Sequence, residues 1–178
     1  MNLKTEFKND RILLFLLPSI NYKLFVEKNL KTLPGEKICY VTLNKTADAL
    51  KEDFVKAKID FKKIIFVDAI TKTLKNAPDY TNNVYCINSP GALTELAITI
   101  DKLTDKFDYL IFDSITNLLI YQEESPVSRC LSDIINKLRN SGKRAIFYAL
   151  SVKEQQILIK EVETFVDNVV DFSRKTRN

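Results

Sequence analysis

No histidine occurs among the chain's 178 residues. That absence removes histidine general bases, Ser-His-Asp and Cys-His nucleophiles, histidine metal sites and a histidine pH switch in one step. Cysteine is scarce, and Cys39, Cys86 and Cys130 are too scattered for any CxxC pair. Each lies among apolar residues, so the thiols read as buried and reduced, which predicts an intracellular, cytoplasmic protein. No unbroken apolar run, Ile12 to Leu17 included, exceeds six residues, against the roughly 20 that span a bilayer. No membrane span is expected, and Glu6 and Asp10 dilute the basic start that a secretory leader would need. Dense blocks of one charge sign are missing as well, because basic and acidic residues alternate along most of the chain for a net charge of +4. Only the end, with Arg174, Lys175 and Arg177, concentrates positive charge, and such a short run reads as a solvated terminus.

What is present is the composition of an ordinary globular domain, 46% apolar and 28% charged with three glycines. A chain of this size buries roughly 70% of the surface that its unfolded form exposes, enough for a core without disulfides or metals. One domain over residues 1–178 is expected, with its core at about 11–172. Apolar runs rich in β-branched and aromatic residues predict strands at Arg11 to Leu17, Lys37 to Leu43, Lys63 to Asp68, Val84 to Asn88, Tyr109 to Asp113, Arg144 to Leu150 and Phe165 to Phe172. The runs Ile12 to Leu17 and Ile64 to Val67 are apolar on both faces, as strands covered by helices on each side must be.

Helical segments separate these runs. Ser89-Pro90 predicts a helix start ahead of the stripe Leu93, Leu96, Ala97, Ile100 and Leu103. Ser125-Pro126 opens another, closed by Gly142, and Ser151 with Glu154 forms a capping box. Further helices are expected at Asn21 to Leu33, closed by Pro34-Gly35, and at Thr46 to Ile59, while Lys75 to Asn83 reads as a loop. Strand-helix-strand units in series give an α/β fold, a doubly wound and mostly parallel sheet with helices on both faces. Ligands bind such sheets beyond the carboxyl ends of the strands, here Leu17 to Lys23, Leu43 to Thr46, Asp68 to Thr71, Asp113 to Asn117 and Leu150 to Ser151. Aromatic residues such as Tyr121, Phe147 and Tyr148 read as core.

Phe107 to Ser114 is an apolar strand ending in an acid, Asp113. An acid so placed either holds Mg²⁺ beside phosphates carried on the neighbouring strand's loop or caps the next turn. Asp68 ends its strand in the same way and reads as a cap. In chain order, Lys37-Ile-Cys-Tyr-Val-Thr-Leu43, Ile64-Ile-Phe-Val-Asp-Ala-Ile70, Asn88-Ser-Pro-Gly-Ala-Leu-Thr-Glu95 and Tyr109-Leu-Ile-Phe-Asp-Ser-Ile115 resemble segments of the RecA/KaiC-like P-loop ATPase superfamily. They correspond to its second strand, its third strand, the start of the helix before the Walker B strand, and the Walker B strand itself. The likeness is greatest to small archaeal members and covers roughly residues 11 to 172.

The resemblance implies a RecA-like fold and a phosphate loop, G-x-x-x-x-G-K-[ST], between the first strand and first helix. The join here reads Leu17-Pro18-Ser19-Ile20-Asn21-Tyr22-Lys23-Leu24-Phe25. It has no glycine, a proline without an N–H, and bulky Ile20 and Tyr22 where a phosphate would lie. No hydroxyl follows Lys23, which reads as a solvated helix-face lysine. The resemblance also implies paired acids after the second strand, where Asn44 and Lys45 stand instead. The expectation is therefore a catalytically inactive RecA/KaiC-like domain with no catalytic residue, metal or cofactor. It would act as a protein-interaction or regulatory module, through a partner protein or further copies of itself. One alternative is a non-hydrolysing nucleotide sensor, for which Ser19, Asn21, Lys23, Asp113 and Ser114 are the binding residues. Another is a DNA-associated accessory protein of recombination type, bound through the basic end.

Overall fold

The computed structural model describes residues 7, 10–33, 36–152 and 155–172. Its strands are β1 (Ile12–Leu17), β2 (Ile38–Thr42), β3 (Ile64–Asp68), β4 (Tyr80–Thr81), β5 (Val84–Cys86), β6 (Tyr109–Asp113), β7 (Arg144–Leu150) and β8 (Asn168–Asp171). The α-helices are α1 (Tyr22–Lys31), α2 (Ala47–Lys56), the single turn α3 (Thr71–Leu74), α4 (Leu93–Leu103), α5 (Glu124–Asn140) and α6 (Gln156–Glu163). Short 3-10 segments cover Thr104–Lys106 and Ile115–Ile120. The Pro34-Gly35 helix stop, Glu154 of the capping box and the basic residues Arg174, Lys175 and Arg177 lie outside the described residues.

All eight strands form one sheet in the order β4-β5-β3-β2-β6-β7-β1-β8. Every pairing is parallel except the β4-β5 hairpin, so the doubly wound α/β architecture is as expected. The alternation of side chains along each strand splits the core in two. Leu13, Phe15, Leu17, Tyr40, Ile111 and Tyr148 meet Val26 and Leu30 of α1 and Leu50 and Phe54 of α2 on one face. Ile12, Leu14, Leu16, Val41, Phe112 and Phe147 meet α4, α5 and α6 on the other. All six residues of β1 are buried, the two-sided burial that a continuous apolar run demands.

Several local expectations change, and β4 lies inside the Lys75 to Asn83 stretch that reads as a loop. β7 lies between β1 and β6, so the loop after β1 is not carried on the strand beside Asp113. Tyr121 is 46% exposed and is no core residue, unlike Phe147 and Tyr148. The fourth helix starts at Leu93 with Ala92 as its cap residue, because Ser89 and Pro90 are spent in a preceding turn closed by the Ala92 N–H on the Ser89 carbonyl. Two further helix starts move: the helix read from Ser151 begins at Gln156 with Gln155 as its cap residue, and the one read from Ser125-Pro126 begins at Glu124 with Glu123 as its cap residue. Thr46 does cap α2, accepting from the Ala49 N–H at 3.2 Å, and Gly142 follows α5 with φ +67, a conformation that glycine adopts without strain.

Candidate functional site

The carboxyl ends of β2 and β6 and the first turn of α1 converge on Asp113. Alternation along β6 puts Asp113 on the same sheet face as Tyr109 and Ile111, and Tyr40 sits on that face of the adjacent β2. The side chain is 3% exposed. One carboxylate oxygen accepts a hydrogen bond from the Tyr40 hydroxyl and the other from the Tyr22 hydroxyl. Tyr148 of β7 packs edge-on against the Tyr22 ring, with centroids 6.2 Å apart, and its own hydroxyl accepts from the Asn29 amide of α1 at 3.0 Å.

Burial pushes the Asp113 carboxyl above the usual range, and the hydrogen bonds from Tyr22 and Tyr40, with Lys45 and Asn44 nearby, pull it part of the way back. Burial and the adjacent Asp113 charge raise Tyr22 and Tyr40 well above an ordinary phenol. Both phenols therefore stay protonated as donors through the neutral range. The remaining cavity, lined by Tyr22, Tyr40, Asn44, Leu50, Phe54 and Asp113 among others, is about 50 Å³. Small-molecule sites occupy roughly 300–1,000 Å³.

Of the sequence-derived binding residues, Lys23 and Asp113 line this same cavity. Lys23 turns toward α2, where its ammonium pairs with Asp53; Lys45 reaches the other oxygen of that carboxylate at 2.7 Å. Lys23 and Lys45 in turn hold Asp53 below the usual carboxylate range. Ser19 and Asn21 are exposed, and Asn21 precedes α1 with φ 66 and makes no side-chain cap bond. Ser114 is 1% exposed, its hydroxyl 3.0 Å from that of Thr116, and the Asp113–Ser114 peptide bond is cis. Asp68 belongs to a different arrangement, accepting from the N–H groups of Ala47, Ile70 and Thr71 and from the Thr71 hydroxyl at 2.7–2.8 Å. It is a cap, as its strand-end position suggests.

A family model described as "ATPase: KaiC" matches residues 24–178. The chain belongs to the KaiC-like ATPase family. Among solved structures it is similar to the KaiC-like protein PH0186 from the hyperthermophilic archaeon Pyrococcus horikoshii OT3, with 18% identity and a TM-score of 0.63 over 95% of this chain and 74% of that one. No curated protein matches. Identity that low shows the fold alone, which is the RecA/KaiC-like fold of a mostly parallel sheet between helices.

Within this KaiC-like chain the residues do not fit a Mg²⁺-nucleotide as they are arranged. Both Asp113 oxygens already accept hydroxyls in a buried setting, Leu24 rather than a hydroxyl residue follows Lys23, and the Lys23 ammonium is committed to Asp53. Among the described residues no group of three or more His, Cys, Asp or Glu side chains is placed to hold a metal ion. No helix among them is long and apolar enough to cross a membrane. Tyr22 was visible in the sequence as bulk where glycine is needed. Tyr40 was not, because it reads as one more apolar residue of a buried strand.

Proposed function

We propose that this KaiC-like domain does not hydrolyse nucleotide and works as a protein-interaction or regulatory module. The observation that carries the reading is Tyr22. It stands directly before Lys23, where the family's loop needs a glycine, and its hydroxyl occupies the carboxylate that would otherwise face a metal and its phosphates. Asn44 and Lys45 supply no carboxylate to polarise an attacking water. The module would meet its partner, a second protein or a further copy of itself, through apolar side chains that the fold leaves in solvent. Ile20, Leu24 and Ile120 are 74%, 61% and 73% exposed, and all follow the carboxyl ends of β1 and β6. Three free cysteines suit the reducing cytoplasm.

Calorimetric titration with ATP and ADP, with and without Mg²⁺, run beside a phosphate-release assay, tests this. No heat and no turnover are expected. Mg²⁺-dependent binding without turnover would replace the reading by a nucleotide sensor, and turnover would end it.

A further inference from the structure

The segment after β6 and the start of α5 form an open groove of about 950 Å³, lined by Leu119, Ile120, Tyr121, Glu123, Glu124 and Gln155 among others. Three independent features of it have no use within the chain. Ile120 and Tyr121 hold 73% and 46% of their surface in solvent, side by side on a loop fixed by the Gln122 amide, which donates to the Gly91 carbonyl at 2.9 Å. The Gln155 Oε1 is buried and has no hydrogen-bond partner, although its Nε2 lies 3.5 Å from the Thr116 carbonyl. Among the described residues no cation pairs with Glu123 or Glu124. Acids at a helix start complement its dipole, but that accounts for neither the exposed apolar pair nor the orphaned acceptor.

We propose that this groove is the docking site of the interaction module, and that its occupant is a partner protein's segment carrying an apolar side chain flanked by lysine or arginine. The proposal rests on the interaction-module reading and names its surface. In a chain of net charge +4, two carboxylates with no cation partner among the described residues, beside exposed apolar side chains, select a basic, apolar ligand over an acidic one. The apolar side chain lies on Ile120 and Tyr121, and the cations meet Glu123 and Glu124.

The test uses the full chain, ¹⁵N-labelled, titrated with three short synthetic peptides: alternating lysine and leucine, lysine and serine, and glutamate and leucine. The lysine-leucine peptide is expected to shift amide signals of residues 119–126 and 155, with the other two binding about fivefold weaker or less tightly still. The Glu123→Lys/Glu124→Lys double variant should lose about fivefold in affinity, and Ile120→Ser should weaken binding while its surface position leaves the folded spectrum intact. Shifts confined to other surfaces, equal binding of the lysine-serine peptide, or indifference to both variants overturns the proposal. Self-association that the double variant abolishes also overturns it, in favour of a second copy as occupant. Nucleotide turnover in the calorimetric experiment would sink the inactive-domain reading without moving these peptide shifts, so the two can fail separately.

Discussion

At Asp113 the surroundings favour the neutral acid while two phenol hydroxyls favour the carboxylate, and burial prevails. A carboxyl raised in the fold contributes stability that is complete below its unfolded value, about 4, and is lost as pH rises through its folded value. Asp113→Asn keeps the shape and removes the charge. The wild type should therefore lose stability relative to this variant as pH rises above about 4, read from urea midpoints at several pH values; parallel curves would show that Asp113 does not titrate over the range measured. Lys23 presents the opposite case. Its side chain is 52% exposed and its partner Asp53 lies on α2, so Lys23→Ala should cost no more than about 1 kcal/mol. The same variant should leave calorimetric traces with ATP unchanged. The sequence showed Lys23 as a solvated helix lysine because no glycine nest or hydroxyl surrounds it. It could not show the Tyr40–Asp113 bond, which joins residues 73 positions apart and exists only once β2 and β6 are paired in register.

Among the elements, the edge strand β8 depends on one side chain just ahead of it. Asp167 accepts from the Arg11 and Ile12 N–H groups, both at 2.9 Å, and from the Arg139 guanidinium at 2.7 Å. It thereby ties the start of β8 to the start of β1 and the end of α5. Burial pushes its carboxyl up, but Arg139 and the two N–H groups more than offset that and hold it below the usual range. The sign is the reverse of Asp113: its contribution is present above about pH 4 and is lost as pH falls through the lower folded value. Asp167→Ala should cost about 1–3 kcal/mol at neutral pH, and the gap to wild type should close in acid; a gap that persists at low pH would point to lost packing instead. Elements with a strong local pattern were legible, such as β1 with its six buried residues and α5 with its glycine stop. The start of α4 was not, because tertiary contacts set it. The Asn88 N–H is held by the Glu95 carboxylate at 3.0 Å, and a Cβ on Gly91 would come within 3.2 Å of Tyr121. Two-residue β4, inside the stretch read as a loop, is too short to carry any period.

Across the whole molecule, alternating apolar runs and amphipathic stretches were enough to give the α/β class, since every central strand is apolar on both faces. Strand order was not available from that pattern, because runs buried on both faces are interchangeable to a reader of the sequence. The order matters to the site. With β7 between β1 and β6, Tyr22 of α1 reaches Asp113 beside Tyr148 of β7, and Tyr40 reaches it from β2, so one buried carboxylate couples elements from both sides of β7. Coupling of this kind is measurable. Tyr22→Phe and Tyr40→Phe each remove one donor from the same carboxyl, and each should cost about 1–3 kcal/mol. Because the first loss already favours the protonated acid, which needs fewer donors, the second should cost less, and the pair should miss additivity by at least about 0.5 kcal/mol. Lys23→Ala and Asp167→Ala share no partner, and their effects should add within about 0.3–0.5 kcal/mol. A double-mutant cycle on each pair, by urea denaturation at pH 7, compares the two. Additive tyrosines would mean that each hydroxyl serves its own half of the carboxylate, and that the site is two caps on one acid and not a single coupled unit.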